Sequence, residues 1–380
     1  MRTIVVLGST GSIGANTLKV VDAFPDELRV AGLCVCRNIA ALGEQIARFR
    51  PRLVAVGDEA KARELRALVG GAVEVAGGEA GIARLAAMPG ADTVVSAMVG
   101  AAGLVPTLAA VRAGKRVALA NKEVLVCAGE IVMGEAVKRG AEVLPVDSEH
   151  SAIHQCLRAG ERGEVRRIIL TASGGPFLRS SKAEMARATP EAALRHPRWK
   201  MGRKVSIDSA TMMNKALEMI EARWLFGLPP DRIDVLVHPE SVVHSLVEFE
   251  DGSVIAQLSL ADMRIPIQYA LLHPRRAAGP WGALRLDRLG ALRFEAPDPG
   301  RFPALALARA AMAAGGTMPA VMNAANEVAV QRFLAGRLPF TGIAALVEDV
   351  MRGHSAAASP TIDDIIRADG WARRRAGGAS

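Results

Sequence analysis

The run TIVVLGSTGSIG at residues 3–14 constrains this chain more than any other stretch. An apolar strand runs into Gly8, Gly11 and Gly14, and then into a helix with Ile13, Leu18 and Val21 on one face. The chain must turn sharply there, and the helix N-terminus adds partial positive charge where an anion can sit. Further apolar runs at 30–36, 53–56, 93–97, 116–120 and 141–146 alternate with helical stretches. Strands alternating with helices predict an α/β architecture, a Rossmann-like doubly wound parallel sheet over residues 1–147.

The glycine spacing is GxxGxxG rather than GxGxxG, which is looser evidence taken alone. Its place between a buried strand and a helix favours dinucleotide binding over a merely structural turn. Gly8, Ser9, Thr10, Gly11, Ser12 and Ile13 are the expected cofactor contacts. The second strand is followed by Arg37 and Asn38 where an NAD enzyme offers an acid to the ribose. A cation and an amide suit a 2′-phosphate instead, so NADPH is the expected cofactor. A solvated arginine after a strand is the bland alternative.

Composition narrows the partners. The net charge of +8 suits a nucleic acid or a phosphorylated substrate and cofactor. Aromatic residues make up only 4% of the chain, with a single Tyr, so few rings can stack on bases and no nucleic-acid partner is expected. No apolar run approaches the ~20 residues of a bilayer span, so no membrane partner is expected. The N-terminus enters a strand directly, without a signal-peptide pattern, and the expected location is cytoplasmic. Cys34, Cys36, Cys127 and Cys156 form no metal array, and Cys34 and Cys36 alternate along a strand as core packing.

After residue 147 the pattern changes to a central α+β catalytic domain at 148–272. It contains the strand and glycine turn RRIILTASGGPF, a strand KVSID at 204–208, a helix at 209–224, and two strands joined by EDGS. Residues 273–303, rich in proline and glycine, read as an extended linker. Residues 304–380 read as four helices, a C-terminal helical bundle domain.

The chemistry gathers at PVDSEHSAIHQCL, residues 145–157. Asp147 and Glu149 follow a sheet strand, and two carboxylates at i and i+2 suit a hard cation. Capping of the following helix by Asp147 or Ser148 explains the same residues equally well. His150 and His154 have the spacing of HExxH, but Ser151 stands where that motif needs its base. On the helix at 209–224, Asn214, Lys215 and Glu218 share one sector beside the apolar stripe. They line a cleft or form a plain solvated face with an i, i+3 pair. Ser209, read at the start of that helix, either caps it or binds an anion, and Ser173 lies at a glycine turn suited to phosphate.

Eight stretches follow one another from residue 8 to 330: GSTGSIGANTL, LANKEVLVCAG, VDSEHSAIHQCL, LTASGGPF, HPRWKMGRKVSIDSATMMNKALEMIEA, HPESVVHSLVEF, ADMRIPIQYAL and NAANEVAV. In this order they resemble the 1-deoxy-D-xylulose 5-phosphate reductoisomerase family. The resemblance implies NADPH-dependent rearrangement and reduction of that sugar phosphate to 2-C-methyl-D-erythritol 4-phosphate, in non-mevalonate isoprenoid biosynthesis. It implies one divalent cation per subunit, Mg²⁺ or Mn²⁺, on Asp147, Glu149 and Glu218. Ser148 matches a contact to the substrate hydroxyls, and Ser173, Ser209, Asn214 and Lys215 match the phosphate set. His196, Trp199 and Met201 match a mobile loop, about 195–203, that closes over the substrate. Lys122 matches a residue near the reacting carbons, and Asn121, Glu123 and Gly202 match cofactor contacts. A homodimer is expected by the same analogy.

Two departures stand out: Ser259-Leu260-Ala261 replaces a glycine–x–proline pattern, and Val328 stands where a second Glu is common. A semialdehyde or sugar dehydrogenase on the same plan is the nearest alternative, but its catalytic Cys or EKP-like lysine motif is absent from the sequence. A non-catalytic NADP sensor would be expected to lack one of Asp147, Glu149 and Glu218.

Overall fold

The computed structural model describes residues 1–199 and 201–378, and the chain forms two compact units. The first comprises residues 1–124, 132–151 and 262–282; the second comprises 125–131, 152–261 and 283–380. Seven parallel strands build the sheet of the first unit: β1 (Arg2–Leu7), β2 (Leu28–Val35), β3 (Leu53–Val56), β4 (Glu74–Gly77), β5 (Thr93–Ser96), β6 (Arg116–Leu119) and β7 (Val143–Pro145). Their order is β4-β3-β2-β1-β5-β6-β7, so the direction of winding reverses between β1 and β5. Ligands of open α/β sheets bind at that reversal, beyond the strand C-termini. Ile4 through Leu7 are fully buried, which explains why every residue of the opening strand is apolar. Short β4, at the sheet edge, was not foreseen: Glu74 is exposed and the strand spans four residues.

Two of the loop glycines are required by packing. Gly8 has φ +84°, and a Cβ there would lie 2.6 Å from the carbonyl oxygen of Ala97, just beyond β5. A Cβ on Gly14 would lie 2.2 Å from the Gly8 carbonyl oxygen and 2.6 Å from the Ser9 Cα. Gly14 therefore lets the helix Ser12–Ala23 press against the loop that it follows.

The second unit is built on β8 (Val165–Ala172), β9 (Ile233–Val237), β10 (Val243–Phe249) and β11 (Val254–Leu258), in the order β11-β10-β8-β9. β10 runs antiparallel to both neighbours, and β8 runs parallel to β9. The EDGS segment makes the expected turn between β10 and β11, with Gly252 at φ +85°. Four helices follow: Ala304–Ala314, Met318–Leu334, Gly342–Arg352 and Ile362–Gly377. They share one apolar core with this sheet, including Ile168, Leu217, Phe302, Phe333 and Val347, so residues 304–378 do not stand apart as a separate core.

The unit boundaries depart from 147, 272 and 303. The helix Arg264–Leu272 belongs with the first unit because Ile267, Ala270 and Leu271 join the core of its sheet. The Arg2 guanidinium donates to the carbonyls of Leu271 and His273 at 2.6 and 2.7 Å, fastening that return crossing. The expected linker has little regular structure, but Glu295 bridges Val237 and pairs with Arg179.

Two further expectations are corrected. KVSID is helical, not extended: a helix spans Arg203–Ala210 and buries Ser206, Ile207 and Asp208. The alternation of Val205 and Ile207 suggested a strand, whereas the i, i+4 pair Lys204–Asp208, at 2.8 Å, marks a helix. Cys36 is exposed, because β2 ends at Val35 and releases it from the core. Among the described residues no helix is long and apolar enough to cross a membrane.

A Gly14→Ala substitution should destabilise the protein by about 1–3 kcal/mol, because the new methyl meets backbone that cannot turn aside. Urea unfolding would register this as a lower midpoint at unchanged slope.

Candidate active site

Each unit carries its own cluster of functional side chains. In the first, the loop after β1 forms a cradle. The Cys34 carbonyl accepts from the N–H groups of Gly8 and Ser9, at 3.0 and 2.9 Å, and Gly8 accepts from Gly11. Ser9 is fully buried and its hydroxyl donates to Gln45 at 2.6 Å, so this side chain faces the protein rather than a cofactor. That leaves the half-buried Thr10 and Ile13 and the exposed Gly11 and Ser12 as the part of the loop open to solvent. Gly11 precedes the helix with no side-chain cap and no acid in the first turn, so the helix N-terminus stays available to a pyrophosphate.

Arg37 and Asn38 follow β2. The Arg37 side chain is 77% exposed, and its Nε pairs with Asp58 at 3.1 Å. Asp58, which was not singled out from the sequence, caps the helix Glu59–Val69 by accepting from Ala60 and Lys61. The Lys61 amide, then that of Ala60 and the Arg37 guanidinium, hold its carboxyl below the ordinary range. The pairing takes Arg37 by Nε, the one guanidinium nitrogen outside the terminal fork that suits a phosphate. Asn38 caps the helix Ile39–Phe49 through its side-chain oxygen.

Asn121 and Lys122 follow β6, and buried Glu123 opens the helix Glu123–Arg139. Asn121 is buried and donates to the Gly100 carbonyl at 3.0 Å, while its amide oxygen has no partner in the protein. Leaving such an acceptor unsatisfied costs about 1–3 kcal/mol, so the position suits a ligand that brings an N–H donor.

Lys122 and Asp147 form the central pair, Nζ to Oδ2 at 2.7 Å, with side chains 11% and 17% exposed. Nδ1 of fully buried His150 lies 3.7 Å from the same oxygen. Burial alone would push the Asp147 carboxyl up, but the Lys122 ammonium, with His150, outweighs it and holds the group well below the usual carboxylate range. The helix Ser148–Cys156 begins at the next residue, where the Ser148 amide donates to Asp147 Oδ1 and its hydroxyl to Glu149 Oε2 at 2.6 Å. Asp147 is therefore committed to an ammonium as well as to a neighbouring amide. His154, half-buried one turn after His150, lies on the same helix.

In the second unit the helix Met213–Phe226 is enclosed on nearly every side. Lys215 and Glu218 are not on a solvated face; they are 3% and 0% exposed and paired with each other. Half-buried Asn214 donates to the other Glu218 oxygen. Ser209 lies in the last turn of the preceding helix, not at the start of this one, and Met212 at φ +60° separates the two. A helix C-terminus repels anions, so any contact from Ser209 to a phosphate rests on its hydroxyl.

Ser173 follows β8. Its oxygen accepts from the Gly175 amide at 3.2 Å and lies 2.9 Å from His196 Nε2. Nδ1 of His196 accepts from the amides of Arg198 and Trp199, so in the neutral ring the proton sits on Nε2 and donates to Ser173. With both lone pairs of Ser173 engaged, its own hydrogen is left to donate. Trp199 meets His244 edge to face at 6.1 Å. Met201 is half-buried and Gly202 precedes the helix Arg203–Ala210 in extended conformation; Lys200 of the expected loop lies outside the described residues.

The donor sets fit the expected groups. A backbone cradle, an exposed arginine side chain and an orphaned buried amide oxygen suit a phosphorylated nicotinamide dinucleotide, and the carboxylates of half-buried Asp147 and Glu149 and of buried Glu218 suit a hard divalent cation.

Comparison with known proteins agrees. Residues 4–129 match the family profile of 1-deoxy-D-xylulose 5-phosphate reductoisomerase, residues 143–226 that of its C-terminal domain, and residues 258–375 that of the DXP reductoisomerase C-terminal domain. The chain is 55% identical over 377 residues to 1-deoxy-D-xylulose 5-phosphate reductoisomerase of Symbiobacterium thermophilum, covering 98% of this chain and 97% of the relative. It is 54% identical over 375 residues to the protein of that name from Pelotomaculum thermopropionicum, covering 98% and 97%. A crystal structure of DOX-P reductoisomerase with NADPH, fosmidomycin and magnesium superposes with TM-score 0.95 at 40% identity, covering 100% of this chain and 98% of that one. The Zymomonas mobilis enzyme in complex with NADPH superposes with TM-score 0.93 at 46% identity, covering 99% and 98%. At this identity and coverage, the chain belongs to the 1-deoxy-D-xylulose 5-phosphate reductoisomerase family.

Proposed function

We propose that this protein rearranges 1-deoxy-D-xylulose 5-phosphate and reduces the product to 2-C-methyl-D-erythritol 4-phosphate, with NADPH and one divalent cation per subunit. The observation that carries this reading is the burial of two carboxylate–ammonium pairs, Lys122–Asp147 and Lys215–Glu218, in a chain of this family. Asp147, Glu149 and Glu218 are the residues that would hold Mg²⁺ or Mn²⁺. When bound, the cation supplies Lewis acidity to the oxygens of the hydroxyketone, and NADPH supplies the hydride.

The side chains divide the remaining work. Lys122, fixed by Asp147, presents a charged donor to a substrate oxygen on which negative charge develops. Ser148 orients the hydroxyls. The hydroxyl of Ser173, with Ser209, Asn214 and Lys215, binds the phosphate, which lies away from the reacting carbons and can hold the enclosure shut. His196 keeps Ser173 in its donating orientation, and Trp199 and Met201 exclude water from the aldehyde intermediate. Gly8 to Ile13, Arg37, Asn38, Asn121, Glu123 and Gly202 serve the cofactor, with Ser9 acting through the backbone because its hydroxyl is committed to Gln45.

The protein acts as a cytoplasmic homodimer. Supporting a dimer, β11 is an edge strand with Val254 and Ile255 48% and 37% exposed, an apolar rim that a second copy would cover.

The direct test is oxidation of NADPH with the sugar phosphate and Mg²⁺, followed by loss of reduced-cofactor absorbance. Absence of turnover by folded protein would overturn the assignment. Glu218→Gln is expected to lower kcat by about a hundredfold or more while NADPH affinity stays within about twofold. Equal loss of both would make Glu218 a structural residue. Arg37→Asp is expected to shift the NADPH-to-NADH ratio of kcat/KM by about tenfold or more towards NADH. An unchanged ratio would remove Arg37 from the 2′-phosphate site.

A further inference from the structure

The NAANEVAV stretch has no place in the roles above, yet it holds the most deeply buried amides in the chain. Asn323 and Asn326 are both 0% exposed, inside the helix Met318–Leu334. Asn326 Nδ2 donates to Asp208 Oδ1 at 2.8 Å, and Lys204 Nζ pairs with Asp208 Oδ2 at 2.8 Å. Asp208 is itself 1% exposed. The Asn326 amide must present its nitrogen here, since its oxygen would repel the carboxylate. That oxygen is buried without a protein partner, so the amide is held on the carboxylate by its nitrogen.

Asp208 immediately precedes Ser209, and the surroundings of Ser209 gather the other proposed phosphate contacts. A Cβ on Gly175, in the Ser173 turn, would lie 2.8 Å from the Ser209 carbonyl oxygen, so that turn packs directly on the end of the helix Arg203–Ala210. On the other side, the Thr211 hydroxyl donates to the carbonyls of Ile207 and Asp208 at 3.1 and 3.2 Å and accepts from the Met213 amide at 3.3 Å. It thereby pins the left-handed turn at Met212, which leads into Asn214, Lys215 and Glu218. A shift of this helix end would move all of these groups together.

We infer that Asp208 and Asn326 are positioning residues: their buried hydrogen bond, with Lys204 neutralising the carboxylate, fixes the helix end around which the phosphate cradle is assembled. The C-terminal helices thus contribute to substrate affinity without touching substrate. The inference rests on the reading of Ser173, Ser209, Asn214 and Lys215 as phosphate contacts. Lys204 has a second consequence, because an uncompensated carboxylate one residue from Ser209 would oppose a phosphate dianion.

The test uses the full-length protein with NADPH and Mg²⁺, and inorganic phosphate as a competitive probe. Asn326→Asp places two carboxylates against each other. It should raise KM for the sugar phosphate and the inhibition constant of inorganic phosphate by about tenfold, with KM for NADPH within about twofold. The exchange variant Asp208→Asn/Asn326→Asp restores one donor facing one carboxylate and should recover most of the loss. Recovery separates a specific pair from general loosening of the fold. If Asn326→Asp does not fold, Asp208→Asn alone, which keeps an acceptor and removes the charge, should raise both constants about threefold. Ser209→Ala, measured alongside, separates the two readings. Normal KM and phosphate inhibition in Ser209→Ala overturn the phosphate assignment and the positioning role with it. A defect in Ser209→Ala with normal constants in Asn326→Asp, or a parallel rise of KM for NADPH, overturns the positioning role alone.

Discussion

The burial of charge is the constraint around which this structure is arranged. Lys122 with Asp147 and Lys215 with Glu218 place ammonium and carboxylate groups where water barely reaches. Removing each ion from water costs several kcal/mol, and a pair at ~4 Å recovers about 4 kcal/mol at the effective dielectric of such sites. Apolar residues of similar volume would stabilise a fold as well or better. The pairs make sense as placed chemistry, and the Lys122 ammonium holds the Asp147 carboxylate ionised in a setting that would otherwise protonate it. Asp147 shows the balance directly, because its ammonium partner overrides the effect of burial.

The scaffold holds these charges by close backbone packing. Gly8 and Gly14 allow the first loop to lie against the end of β5 and against its own helix, where a Cβ would meet backbone. Gly175 does the same for the Ser173 turn. Hydrogen-bond direction then decides what each polar group presents. His196, fixed by two amides, leaves Ser173 its own hydrogen to donate, and Asp58 pairs with Arg37 through Nε. The same logic extends into the C-terminal helices, where Asn326 holds Asp208 and through it the Ser209 turn.

Much of the first sheet could be read from its apolar runs, because a strand buried on both faces tolerates little else. β4 escaped because it is short, lies at the edge and begins with an exposed glutamate. The KVSID segment misled because two β-branched residues two apart imitate a strand; the burial of Asp208 against a helix more than a hundred residues later decides its form. Ser9 and Ser209 show the same limit for the site. Their hydroxyls sit in plausible sequence positions, but one turns inward to Gln45, and the other lies at the negative end of a helix.

The sequence by itself determined the parallel sheet, the glycine loop, the exposed turn EDGS and the acidic, basic and hydroxyl groups from which a site is proposed. These depend on local rules: periodicity, φ freedom and residue chemistry. The tertiary structure decided which charges are buried, which partners Arg37, Ser173 and His196 meet, and where the units divide. Lys215 and Glu218 read equally well as a surface pair until the helices around them close. Burial and hydrogen-bond direction are set by residues distant in the chain, as when Arg2 fastens residues 271–273 or Asn326 meets Asp208, and no local pattern encodes such meetings.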